Sequence, residues 1–122
     1  MQIVIMPPMA LVEGQPHEAY YRWQDQATGL PVDFTEVIDG VGWAGRVTIA
    51  TDLDSAPIID IEPDLNASGE ITFTLTGSQF ASLTPPAQIG GGVVGVFQIL
   101  LTSPVPALTQ IWQGPVTLAG VL

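Results

Sequence analysis

The sequence predicts an all-β domain made of two packed antiparallel sheets, and three observations carry that reading. Apolar and polar residues alternate with a period of two in several segments, most plainly where Ile71, Phe73 and Leu75 interleave with Thr72, Thr74 and Thr76. That is the pattern of a strand with one buried and one wetted face. Clusters of Gly, Pro, Asn and Ser punctuate these segments at regular spacing, and no long stretch has the 3.6-residue period of an amphipathic helix. A chain of 122 residues is one domain of ordinary size, long enough to bury roughly two-thirds of the surface its unfolded form exposes.

Taken in order, Gln2 to Met6 is a short β-branched run, and Pro7-Pro8 stops it from continuing as a central strand. Residues 1–11 therefore read as an edge strand or as an arm laid on a neighbour, ahead of a single domain over 12–122. Pro16 to Asp25 is the first long strand, with Ala19, Tyr21 and Trp23 facing the core. Ala27-Thr28-Gly29 turns the chain, and Leu30 to Thr35 resumes it as an extended segment whose Phe34 plugs the core. Glu36 to Gly42 reads as a loop. Trp43 to Thr51 alternates again, with Trp43, Val47 and Ile49 on one face and Gly45 leaving room for an aromatic ring.

Thr51 to Ala56 is an acidic turn, and Ile58 to Glu62 is a brief strand. Pro63 to Ser68 links it to the Ile71 strand, most simply as a hairpin. Gly77-Ser78 ends that strand and caps a short helical turn over Ser78 to Leu83, closed by Thr84-Pro85-Pro86. Gly90-Gly91-Gly92 is a hinge before Val93 to Thr102, a strand apolar on nearly both sides and so central or covered by a partner. Ser103 to Ala107 is a connection. Leu108 to Leu118 is the last long strand, in which Gly114-Pro115 points to a bulge or an edge position. These six or seven strands with one helical turn make an antiparallel Ig-like β-sandwich of about seven strands, with a small closed barrel as the rival.

Charge excludes several functions. Twelve Asp and Glu stand against two Arg, Arg22 and Arg46, with no Lys, for a formal net charge of -10. Two cations cannot neutralise the phosphates that nucleic-acid affinity requires, so DNA and RNA are not expected as partners. There is no cysteine, which removes thiolate metal sites, disulfides and Cys nucleophiles. Met1 to Met9 is apolar but broken by prolines and preceded by no cation, and nothing reaches the roughly 18 apolar residues of a membrane span, so neither a signal peptide nor a membrane partner is expected. Charged residues make up 11% and hydrophobic ones 47% of the chain, with a mean hydropathy of +0.40. Either much of the surface is covered by other subunits, or two buried inner faces consume the apolar residues.

No constellation points to catalysis, a cofactor or a metal. Asp52-x-Asp54 and the series Asp60, Glu62, Asp64, Asn66 lack the Gly and Glu positions of a Ca²⁺ loop and read as solvated turns. No cleft for a glycosidase carboxylate pair can be argued. His17 is the single histidine and reads as an exposed loop residue, not part of a triad. The Gly90 to Gly92 run lacks the Lys of a phosphate loop, and Asn66-Ala67-Ser68 matches a glycosylation sequon without a secretory signal. Trp23, Trp43 and Trp112 would form a sugar platform only if exposed together, and each falls on a core face.

In their order, Gly29-Leu30-Pro31-Val32-Asp33-Phe34-Thr35, Gly45-Arg46-Val47, Gly69 to Thr76, Gln79 to Leu83 and Gln113 to Leu118 resemble the N-terminal Ig-like domain of phage upper baseplate proteins. The resemblance spans roughly residues 12 to 118. It departs where Phe34 replaces the usual Leu, where Gly90-Gly91-Gly92 replaces "G-x-Y", and in having no fibre region after it. It implies a non-enzymatic virion structural protein without cofactors, assembled in the host cytoplasm into a tail or baseplate by docking to other virion proteins or to copies of itself. A capsid decoration protein and a carbohydrate-binding module are the alternative expectations. The apolar arm suits docking because it can add a strand to a neighbour's sheet, which makes Ile3, Val4, Ile5, Met6 and Met9 the expected partner contacts.

Overall fold

The computed structural model of the protein describes residues 2–25, 28–79, 92–104 and 109–119. Its strands are β1 (Gln2–Ile5), β2 (Met9–Val12), β3 (His17–Arg22), β4 (Val37–Ile38), β5 (Val41–Gly42), β6 (Ala44–Ala50), β7 (Ile59–Ile61), β8 (Asp64–Leu65), β9 (Glu70–Leu75), β10 (Gly92–Thr102) and β11 (Thr109–Ala119). The fold is all-β and its sheets are antiparallel, except that β1 and β2 run parallel to β11 where an antiparallel sheet is expected, an arrangement consistent with a β-sandwich. The larger sheet runs β1-β11-β10-β6-β7, with β2 also on β11, and the smaller runs β3-β9-β8.

Their inner faces share one core. Phe97, Ile99 and Leu101 of β10, Val47 and Ile49 of β6, and Ile71 and Leu75 of β9 are wholly buried, at roughly 1.5–3 kcal/mol of stabilisation for each large apolar side chain. Aromatic rings stitch the layers together. Tyr21 of β3 stands 6.4 Å from Phe97 and 6.3 Å from Trp112 between ring centroids, and Trp23 lies 5.9 Å from Trp112. Phe34 is buried beside Trp23 and Trp43 as the expected plug.

Three expectations need correction. The Ile58 strand and the Ile71 strand are not a hairpin: β7 pairs with β6, whereas β9 pairs with β3 and β8. The chain changes sheets at Glu62-Pro63, where a proline has no N–H to continue a ladder, and the short hairpin is β8 with β9. Glu36 to Gly42 is not a plain loop. Val37 and Ile38 pair with Gly42 and Val41 around Asp39 and Gly40, both in the left-handed region at φ 52° and 78°. An Asp-Gly pair between β-branched residues is the signal for such a turn.

Gly114-Pro115, finally, is no bulge. The ladder with β10 runs through it in register, and the irregularity sits at Val93/Gly95. Alternate residues of β11 aim their backbone at opposite neighbours, and the Met6 N–H donates to the Gln113 carbonyl at 2.7 Å and Glu13 N–H to that of Ala119 at 2.9 Å. Pro115, in phase with both, turns its nitrogen toward the N-terminal edge. There β1 ends opposite Gln113 and β2 begins opposite Val116, so the missing N–H meets the gap left by Pro7-Pro8. The two proline breaks coincide.

The expected helical turn over Ser78 to Leu83 falls mostly outside the described residues. Its start is a hydrogen-bonded turn in which Gln79 N–H donates to the Thr76 carbonyl at 3.0 Å and Thr76 N–H to Gln79 Oε1 at 2.7 Å. Gly90 and Gly91 of the hinge, and Val105 to Ala107 of the later connection, also lie outside the described residues.

A Cβ on Gly114 would come within 2.7 Å of the Met6 carbonyl and 3.0 Å of the Phe97 ring. Gly114→Ala is therefore expected to lower stability by about 2 kcal/mol in chemical denaturation. Hydrogen exchange should show the loss first at the Met6 amide, ahead of the β10 amides.

Candidate functional site

The charged residues occupy one part of the chain. Every Asp, Glu and Arg lies between Glu13 and Glu70, and residues 71–122, like 1–12, contain none. Folding gathers the two uncharged stretches, because β1, β2, β10 and β11 are neighbours in the larger sheet. Their inner faces fill the core. Their outer faces carry Ile3, Ile5, Ala10 and Val12 from the edge, Ile111, Pro115 and Thr117 from β11, and Val96, Gln98 and Leu100 from β10, in register with one another.

These outer side chains alternate with the buried ones and are not among those that pack on the core. Ile3 is 54% and Ile5 74% exposed, with β1 otherwise as apolar as a core strand. Gln98 Nε2 donates to Gln113 Oε1 at 3.1 Å across the middle of the face. This polar pair is thus neutral and already partnered in the plane of the sheet, which lowers the cost of covering it. The face is bounded at β6 and β7 by Arg46, whose Nη2 donates to Asp60 Oδ2 at 3.0 Å while its Nε donates to Oδ1. Pairing with Asp60 holds the Arg46 guanidinium above its ordinary value. Beside it Thr48, Ala50, Leu53, Val96 and Leu100 surround a hollow of 200 Å³, with Asp52 on its rim.

The opposite face of the molecule is charged. Glu18, Tyr20 and Arg22 of β3 lie outward beside Thr72, Thr74 and Glu70 of β9. The Tyr20 hydroxyl donates to the Glu70 carboxylate, the largest cause that holds Glu70 below its usual range, with Asn66 Nδ2 adding a second bond at 3.0 Å. Asn66 Oδ1 also accepts from the Ser68 and Glu70 amides at 3.0 and 3.1 Å, so its side chain builds the turn before β9.

The expected contact residues divide. Met9 is buried in the chain's own core, and Val4 and Met6 pack against that core. Only Ile3 and Ile5 of the five present their side chains outward. The N-terminal segment is the edge of the chain's own sheet. Val96, Leu100 and Ile111 were not among the sequence-stated contacts, and the signal that finds them is the position of the charges along the chain, not their sum.

The remaining candidates resolve into structure. Asp52 Oδ1 accepts from the Asp54 amide at 2.9 Å in an exposed turn. Among the described residues no group of three or more His, Asp and Glu side chains is placed to hold a metal, and no helix is long and apolar enough to cross a membrane. Trp112 is buried and Trp23 and Trp43 half-buried in an edge-to-face aromatic cluster with Phe34, so they do not form an exposed sugar platform. The indole nitrogens of Trp43 and Trp112 are buried and have no oxygen or nitrogen partner. His17 is the first residue of β3, half-buried and not on a loop, and burial pushes its imidazole below the ordinary value.

Two expectations are testable. The unfolded chain takes up a proton at His17 before the folded one does, so stability should fall as pH drops below about 6.5. Asp33 and Glu70, held low by hydrogen bonds, should add a second loss only at the acid end, as pH falls through their folded values. Urea midpoints against pH should show the first step vanish in His17→Gln. Charge on the two sides of β10 should also behave differently: Leu100→Lys is expected to change the stability of the single chain by less than about 1 kcal/mol and Ile99→Lys to prevent folding, as read by thermal melts in dilute solution.

Scanned against protein-family models and searched against curated proteins, the chain finds no match, so the geometry of the neutral sheet face and the motif order carry its functional reading.

Proposed function

We propose that this protein is a non-enzymatic structural module of a bacteriophage virion, part of a tail or baseplate, that holds neighbouring subunits through the uncharged face of its larger sheet. The observation that carries the reading is the segregation of charge. A chain with a net charge of -10 keeps the outer faces of four adjoining strands, β1, β2, β11 and β10, free of charged side chains, and a contiguous apolar and Thr/Gln surface of that kind marks a protein contact.

The strand order supports an Ig-like sandwich, because β3-β9-β8 facing β6-β10-β11 follows the B-E-D and C-F-G pattern of such folds, with the N-terminal edge on the second sheet. The ordered motifs that resemble the phage baseplate domain lie on elements that hold this frame together. Val32 N–H donates to the Trp23 carbonyl at 3.0 Å and Trp23 N–H to that of Gly69 at 2.8 Å. Gly69 sits at φ 73°, and a Cβ there would stand 2.4 Å from the Trp23 carbonyl, so the glycine that opens the Ile71 strand is required by close approach. Ile3 and Ile5 extend the contact surface at the sheet edge, where a neighbour's strand can be added.

Immunogold labelling of purified particles tests the proposal. Label at the tail or its baseplate end is the expected result. Label confined to heads would move the protein to a decoration role, and particles that lack the chain altogether would refute a virion role.

A further inference from the structure

We infer that the occupant of the uncharged face is a second copy of this chain, so that two larger sheets pack face to face across a two-fold axis. The inference deepens the structural reading above by naming the partner, and it is tested on the isolated protein so that the two can fail separately.

Electrostatics selects this geometry. Each copy carries a net charge of -10, and contact through β3 and β9 would set carboxylate against carboxylate. Stacking the larger sheets gives the order small, large, large, small. With sheets about 10 Å apart, the two acidic faces then stand about 30 Å from each other, several times the screening length of about 8 Å at physiological salt. A basic partner would be drawn to the acidic side instead. What remains for the neutral face is another neutral surface of matching form.

Size and relief agree. β10 and β11 span eleven residues each, β1 and β2 together eight and β6 seven, so at about 3.3 Å per residue and 4.8 Å per strand the face covers about 590 Å², with Arg46 of β6 on its border. Two such faces bury roughly 1,200 Å², the lower end of the range of stable interfaces. The face is also uneven in a self-complementary way. Ile3 and Ile5 stand proud at one border, while the hollow edged by Val96, Leu100 and Leu53 lies at the other. A two-fold axis near Gln98 and Gln113 seats the ridge of each copy toward the hollow of its partner twice, which is what an isologous contact requires.

Sedimentation equilibrium of the full chain decides the matter, with Leu100→Lys, Gln98→Glu and, on the opposite sheet, Tyr20→Lys as variants. The expected result is a wild-type dimer that tightens as salt screens the net charge, and that weakens at least about tenfold in Leu100→Lys and in the nearly isosteric Gln98→Glu. Tyr20→Lys should associate like wild type, and mixing Ile111→Lys with Ile111→Glu should restore a dimer that neither forms alone. Circular dichroism confirms that each variant keeps its strands. A wild-type monomer at every attainable concentration overturns the inference, and so does a Gln98→Glu protein that dimerises unchanged. A monomer that is still found in particles would leave the virion role standing with a different partner on this face.

Discussion

The structure depends on how β11 is flanked. It has a ladder on each side, antiparallel to β10 and parallel to a two-part N-terminal edge that is interrupted opposite Gly114-Pro115. A proline in such a strand should cost a hydrogen bond. Here Pro115 points its nitrogen at the interval between β1 and β2, where Pro7-Pro8 has already interrupted the edge. The same interval brings the Met6 and Pro7 carbonyls over Gly114, the one residue without a side chain to obstruct them. Two breaks that would each weaken a sheet are placed opposite each other, and the ladder resumes on either side.

That alignment has a consequence for the surface. By holding the first and last segments of the chain side by side, β11 assembles one broad neutral face from pieces that lie about a hundred residues apart in sequence. The acidic residues are left to the middle of the chain, which supplies β3, β7, the turns and the charged side of β9. A molecule with almost no cations cannot neutralise its own carboxylates. It can only distribute them, and this fold distributes them away from the adjoining strands β1, β2, β11 and β10.

Much of this was legible beforehand. Ile71, Phe73 and Leu75 alternate with threonines and are buried as their period demands. Phe97, Ile99 and Leu101 lie on a central strand, as a segment apolar on both sides should. Two-residue periodicity is a local consequence of the pleat, so it survives whatever the strand pairs with. The candidate surface was less legible. The sequence groups Met9 with Ile3 and Ile5 as a contact, because apolarity alone does not say which way a side chain turns.

The sequence by itself determined the all-β class, the faces of the long strands and the exclusion of thiolate chemistry, since these follow from composition and local period. Only the tertiary structure decided that β7 and β9 part company at Pro63, that Asp39-Gly40 makes a hairpin, and that Gly114-Pro115 needs no bulge. It also decided that the uncharged ends of the chain meet on one face. Each of those outcomes depends on which strand lies next to which, and strand adjacency is set by contacts between residues far apart along the chain, where no local pattern reaches.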